Sequence, residues 1–168
     1  RTLTSSTRAR CCESRRARTM IDAVNIYRGL DQGSAPVDWY EIYERYDAVI
    51  SLVATQPITP CPAGKMRIVW KIDDWEMPTD TDSLWALVGF ITDLVRRNKR
   101  VLVHCGAGLN RAGLMCALAY RELTLCSGAE AEDYIKRCRS GALMNPYFSS
   151  ALRQLDGRNM REEQDEAK

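Results

Sequence analysis

Three residues, Val101-Leu102-Val103, constrain the fold more than any others in the chain. They are wholly apolar and two are β-branched, so they read as a strand. A run so short and so apolar on both faces has to be central in its sheet, with helices covering it above and below. Helical patterns do flank it. Upstream, residues 81–98 place Leu84, Leu87, Val88, Ile91, Leu94 and Val95 on one inward face. Downstream, residues 111–125 repeat the pattern with Leu114, Leu118, Leu123 and Leu125. A helix, a buried strand and another helix in succession argue for an α/β fold with a mostly parallel sheet.

The rest of the chain supplies the remaining layers. Residues 23–28 (AVNIYR) read as a strand ended by Gly29, and the following DQGSAP reads as turn. Residues 37–46 read as a helix, 47–53 (DAVISLV) as a strand, and the proline-rich 55–64 as loop. Residues 67–72 (RIVWKI) are another strand, and 73–80 (DDWEMPTD) form a loop whose end can cap the next helix. Gly128 interrupts, and 129–139 and 146–155 are further helices, with Pro146 suited to a first turn. The expectation is a central sheet of about four to five strands flanked by helices. With 168 residues the chain fits one domain, placed at 21–157 between a basic tail (1–20) and a charged, frayed one (158–168).

Charge is unevenly spread. The whole chain carries +2, but residues 1–19 hold six arginines and one glutamate, which leaves −3 for the rest. The folded part therefore lacks the basic footprint of a nucleic-acid binder. The arginine-rich start fits a transit peptide, a basic tail for nucleic acid or acidic membrane, or, as the preferred reading, a disordered tail or translation upstream of a true start at Met20. No apolar run is long enough to span a bilayer as a helix. The seven cysteines are odd in number, contain no Cys-x-x-Cys pair and follow no secretory segment. They indicate free thiols in a reducing, cytoplasmic protein. Cys116, Cys126 and Cys138 fall on expected helices, as small core residues or, for one of them, as a resolving thiol for Cys105. One histidine cannot build a multi-histidine zinc site, and neither metal nor cofactor is expected.

Chemistry concentrates where the central strand ends, in HCGAGLNRAG. In open α/β sheets ligands bind beyond the carboxyl ends of the strands, and Cys105 stands at such an end. Gly106 and Gly108 permit backbone angles closed to residues with a Cβ. A loop bent that way turns successive N–H groups of Gly106, Ala107, Gly108, Leu109 and Asn110 toward one point, an anion nest. The helix that begins near Arg111 adds its partial positive charge. Arg111 offers a planar fork for two phosphate oxygens. The field that holds a dianion also favours thiolate over thiol at Cys105. An ionised thiol needs no base, so His104 is expected to orient the loop by hydrogen bonding to nearby backbone. A merely structural cysteine would leave the glycines and the arginine unexplained.

This stretch resembles the His-Cys, five residues, Arg signature of cysteine-based protein phosphatases, above all their compact dual-specificity branch. NIYRGLDQGS resembles that branch's opening strand and turn, and the order of elements from about Val24 to Leu155 fits. The low-molecular-weight phosphatases and arsenate reductases carry a similar loop near the N-terminus, whereas here it lies past mid-chain. The resemblance implies a general acid on an earlier loop, since a leaving oxygen needs a proton. KIDDWEMP supplies the candidates and resembles the acid loop of the phosphatases of regenerating liver, in which the second aspartate is the acid. That maps to Asp74, and leaves Asp73 a turn or structural hydrogen bond.

The implied reaction is metal-independent. Cys105 attacks phosphorus, Arg111 and the loop amides hold the equatorial oxygens, Asp74 protonates the leaving group, and water then cleaves the phosphocysteine. Ala112 departs from the many relatives with Ser or Thr there, as the regenerating-liver type also does. It lacks a hydroxyl to help the sulfur leave, so a slowed second step is expected. The loop interior has no lysine or arginine, which lowers the options of a phosphoinositide phosphatase and an RNA 5′-phosphatase. The run 96–100 is basic but precedes the strand, at the end away from the site. The expected partner is a protein phosphorylated on tyrosine, serine or threonine. A non-catalytic phosphate-binding pseudophosphatase and a rhodanese-type sulfurtransferase are the alternatives of other classes; the sulfurtransferase needs no acid loop.

Overall fold

The computed structural model describes residues 21–54 and 59–155. The two expected tails, with Cys11, Cys12 and the last residues of the expected domain, lie outside the described residues. Five strands form one sheet: β1 (Ala23–Tyr27), β2 (Leu30–Gly33), β3 (Ala48–Ser51), β4 (Met66–Val69) and β5 (Val101–His104). Their order is β1-β2-β5-β3-β4, antiparallel between β1 and β2 and parallel elsewhere. Five helices complete it: α1 (Trp39–Arg45), α2 (Thr81–Arg96), α3 (Asn110–Thr124), α4 (Gly128–Cys138) and α5 (Pro146–Gln154). The fold is α/β with a mostly parallel sheet, as expected.

Val101, Leu102 and Val103 are completely buried. One face of the sheet packs on α2, α3, α4 and α5 through the main core. The other packs on α1, where Trp39, Ile42, Tyr43 and Tyr46 meet Val49 and Leu102. Alternation along β5 explains the division: Val101 and Val103 join the larger core and Leu102 the smaller.

LDQG is not turn but strand β2. Asp and Gly are poor strand formers, yet the segment is held on both sides. Gly29, with φ +79°, closes a tight turn that brings Leu30 opposite Tyr27. On its other edge β2 runs parallel to β5, with Gly33 beside His104. The Asp31 carboxylate accepts from Asn25 Nδ2 and from the Tyr46 hydroxyl, each at 2.7 Å. The ladder and these partners outweigh the local preference.

Other boundaries shift modestly. Helix α1 begins later than expected because Asp38 caps it, accepting from the amides of Tyr40 and Glu41. Gly128 does not interrupt a helix but opens α4, capped by a reciprocal Ser127–Glu130 box. A Cβ there would lie 1.7 Å from the Leu152 carbonyl oxygen. Cys126 falls in the link before α4 rather than on a helix.

Parallel pairing aligns Gly33, Ser51 and Val69 with His104 at one edge of the sheet. The segments that leave this edge are the ones that build the site. The basic run 96–100 lies at the other end of β5, where the Arg100 amide donates to Asp47 at 2.8 Å.

Candidate active site

Cys105 follows β5 directly and is buried, while Gly106 and Ala107 reach the surface. The loop's shape is set by what holds its carbonyls. The Gly106 carbonyl accepts from the Ala35 amide at 3.0 Å. The Ala107 carbonyl accepts from Arg139 at 3.1 Å, and the Gly108 carbonyl from Gln32 Nε2 at 2.8 Å. Each of these oxygens is thus tied to surrounding structure. In a planar trans peptide the N–H points opposite to the carbonyl. The amides of Ala107, Gly108 and Leu109 are therefore turned to the other side, away from those anchors, as an anion nest requires.

The two loop glycines differ. Gly108 has φ +71°, and a Cβ would sit 2.5 Å from the backbone of Gly33. Conformation and close approach both demand glycine. Gly106 has no such φ, and a Cβ there would meet only Arg111 at 3.7 Å, an ordinary contact. The expectation that both glycines are conformationally required holds for Gly108 alone.

Beneath the loop, His104 is completely buried. Its Nε2 lies 2.7 Å from Ser51 Oγ, its Nδ1 is 3.4 Å from the Cys105 carbonyl, and its ring meets Trp39 edge-on at 5.8 Å. Burial pushes its pKa down to about 4. A neutral imidazole wedged between β3 and α1 fits the orienting role read from sequence.

Arg111 stands one residue into α3, which has no side-chain cap and no acid in its first turn. It donates to the Ile72 carbonyl at 3.5 Å, and its Nε lies 3.8 Å from Asp74 Oδ2. Asp74 and Asp73 point apart. Asp73 is exposed and pairs with Lys71 at 3.6 Å. Asp74 is drawn toward the loop, and its Oδ1 and Arg111 Nε are buried without a hydrogen-bond partner among the described residues. The unpaired Arg111 N–H is a donor that a phosphoryl oxygen would satisfy, and the Asp74 carboxyl beside it, when protonated, can donate to a leaving oxygen. Ala112 is completely buried on α3 and places a methyl group where a hydroxyl would otherwise stand.

Three supporting residues escaped the sequence reading. Gln32 lay in a segment taken for turn. Arg139 looked like one more cation on a helix, yet it clamps Asp22 at 2.7 Å as well as the loop. Its hydrogen bond is the main reason the Asp22 carboxyl sits below its ordinary range. Asn145 could be found only as a capping residue before Pro146. Cys116 is buried on α3, and burial pushes its thiol well up, as expected of a core residue rather than a resolving thiol.

The family model for the dual specificity phosphatase catalytic domain matches residues 45–158. The chain belongs to the dual specificity phosphatase family. This phosphatase is similar in structure to Tk-PTP in its active form, at 25% identity and a TM-score of 0.69 over 82% of this chain and 98% of that one. A mouse putative dual specificity phosphatase complexed with zinc tungstate aligns at 19% identity and a TM-score of 0.71, over 99% of this chain and 97% of that one. DUSP15 gives 18% identity and a TM-score of 0.71, over 88% of the phosphatase and 97% of its own chain. No curated protein matches the chain in sequence.

Proposed function

We propose that the phosphatase hydrolyses phosphotyrosine, phosphoserine or phosphothreonine in proteins through a phosphocysteine intermediate. The observation that carries the proposal is the convergence of Cys105, the turned amides of its loop, Arg111 and Asp74 at one edge of the sheet. Cys105 Sγ attacks phosphorus and forms the S–P bond as the ester P–O bond breaks. Arg111 and the amides of Ala107, Gly108 and Leu109 hold the equatorial oxygens. Asp74 gives its proton to the leaving oxygen, then takes one from the water that cleaves the S–P bond and restores the thiolate. Gly106, Leu109 and Asn110 shape the same cradle, His104 steadies it, and Asp73 lies outside the chemistry.

The surroundings favour a protein substrate over a polyanionic one. Val37, Trp75, Met144 and Tyr147 are large exposed apolar side chains on the segments around the loop. Asp38, Glu41 and Glu76 are acids on the same segments, while the charge of Asp73 is offset by its pair with Lys71. Such a rim suits a phosphorylated residue with apolar or basic neighbours and repels clustered phosphates. A cytoplasmic location belongs to the same proposal, in keeping with free cysteines at 61, 105, 116, 126 and 138.

The test is rapid-mixing kinetics on para-nitrophenyl phosphate with reductant and a metal chelator, for the wild type and Cys105→Ser. Chelator-resistant release that vanishes in the variant is expected. Because Ala112 offers no hydroxyl to the departing sulfur, a burst of nitrophenol followed by a slower steady phase is expected as well. Activity retained in Cys105→Ser would sink the mechanism, and absence of release from folded wild type would turn the reading to a phosphate-binding protein.

A further inference from the structure

We propose that Asn145 is the positioning residue that holds the acid loop in register with the phosphate loop. The inference rests on the mechanism proposed above. The side chain is buried, and both its oxygen and its nitrogen are engaged. Its Oδ1 caps α5, accepting from the Tyr147 amide at 2.8 Å and the Phe148 amide at 3.4 Å. Its Nδ2 donates to the Asp74 carbonyl at 2.8 Å. Its own amide, with that of Met144, donates to Asn110 Oδ1, at 3.2 and 3.0 Å. One residue therefore joins the N-terminus of α5, the last residue of the phosphate loop before Arg111, and the backbone of Asp74.

No other hydrogen bond among the described residues ties 73–79 to another part of the chain. The other polar contact of Asp74 is the 3.8 Å ion pair with Arg111. That pair weakens when Asp74 carries the proton a general acid must donate, because a neutral carboxyl gives up the charge attraction to the guanidinium. At that moment the position of Asp74 depends on Asn145. The carboxyl must then reach the leaving oxygen, and a displacement of about 1 Å can cost on the order of 100-fold in rate.

Asn145→Asp separates this role from capping. It keeps an oxygen for the amides of Tyr147 and Phe148 and removes the donor to Asp74. Asn145→Ser does the same without adding charge. The comparison uses two aryl phosphates on the full-length protein: phenyl phosphate, whose leaving oxygen needs a proton, and 2,4-dinitrophenyl phosphate, whose leaving oxygen does not. Both variants are expected to melt close to the wild type. Each should lose about tenfold to 100-fold in kcat/KM on phenyl phosphate and only about twofold on the dinitrophenyl ester, with a flattened alkaline limb of the pH profile. Equal losses on both esters, or none on either, would overturn the inference. Asp74→Asn serves as the reference. If it shows no dependence on the leaving group, the mechanism and this inference fall together; if it does and the Asn145 variants do not, only the role of Asn145 falls.

Discussion

The two loops that meet at the carboxyl edge of the sheet are built in opposite ways. The phosphate loop is gripped from four directions, by Gln32 of β2, the Ala35 amide, Arg139 at the end of α4, and the buried His104–Ser51 pair below. Between Asp73, which pairs locally with Lys71, and Asp80, which caps α2, the acid loop is tied to the phosphate-loop side by one hydrogen bond and one long ion pair, with Met77 packed on the main core. Behind it lies a cleft of about 210 Å³ lined by Trp70, Lys71, Ile72, Asp73, Glu76 and Met77 among others. The difference fits the mechanism proposed above. A cradle for a dianion gains most when its dipoles are fixed beforehand. An acid that serves first as donor and then as base must meet two different oxygens, so a lighter hold is tolerable.

The sharpest way to test the contrast is to remove function from the lightly held loop without disturbing the other. Asp74→Asn is expected to lower kcat on phenyl phosphate by about 10²- to 10⁴-fold, the range for a general acid. Asp73→Asn breaks only an exposed pair with Lys71, so it should stay within about twofold. Steady-state kinetics on both variants decides between the adjacent aspartates. A larger loss for Asp73→Asn would reverse their roles.

The converse experiment strains the firmly held loop. Gly108→Ala must place a Cβ 2.5 Å from Gly33 backbone at φ +71°. Left-handed conformation and overpacking together should cost roughly 2–5 kcal/mol. Gly106→Ala meets only ordinary contact and should change stability by less than about 1 kcal/mol. Urea unfolding of the pair measures both. Equal stabilities would mean that the loop is not locked against β2.

The same contrast explains what could be read from sequence. Helix α2 and strand β5 were legible because their apolar periods coincide with their burial. Cys105, Arg111 and the glycine at 108 were legible because an anion nest is local: the residues that make it are contiguous. The anchors were not, because each depends on a distant pairing. Gln32 acts on a carbonyl 76 residues away and Asn145 on one 71 residues away. Neither has a local signature beyond a turn-like run and a helix cap. Strand β2 was hidden for the same reason: Asp and Gly look like turn until β1 and β5 are set on either side.

A further expected effect is on stability in acid, and it separates the foundations of the two loops. The phosphate loop rests on neutral His104. The acid loop is anchored through α5, which is clamped to α4 by Glu132. That carboxylate is completely buried and takes hydrogen bonds from Lys136 of its own helix and from Ser149 and Arg153 of α5. Burial alone would raise its pKa, but these three partners outweigh it and bring it down to about 2. Both groups have folded-state pKa values below their unfolded ones, so both contribute stability at neutral pH that acid removes. For His104 the loss begins as pH falls below about 6.5, where the unfolded chain takes up a proton, and is complete below about 4. For Glu132 it begins near 4.5 and runs to about 2. Each window is worth about 3 kcal/mol at most. Urea unfolding from pH 7.5 to 3 should therefore show a decline in wild type that starts near pH 6.5 and continues below 4, where the His104 contribution is already lost, with the part below 4.5 reduced in Glu132→Gln. Stability that stays level from pH 7 to 5 would mean that His104 is not held neutral. The cradle would then stand on something other than this histidine.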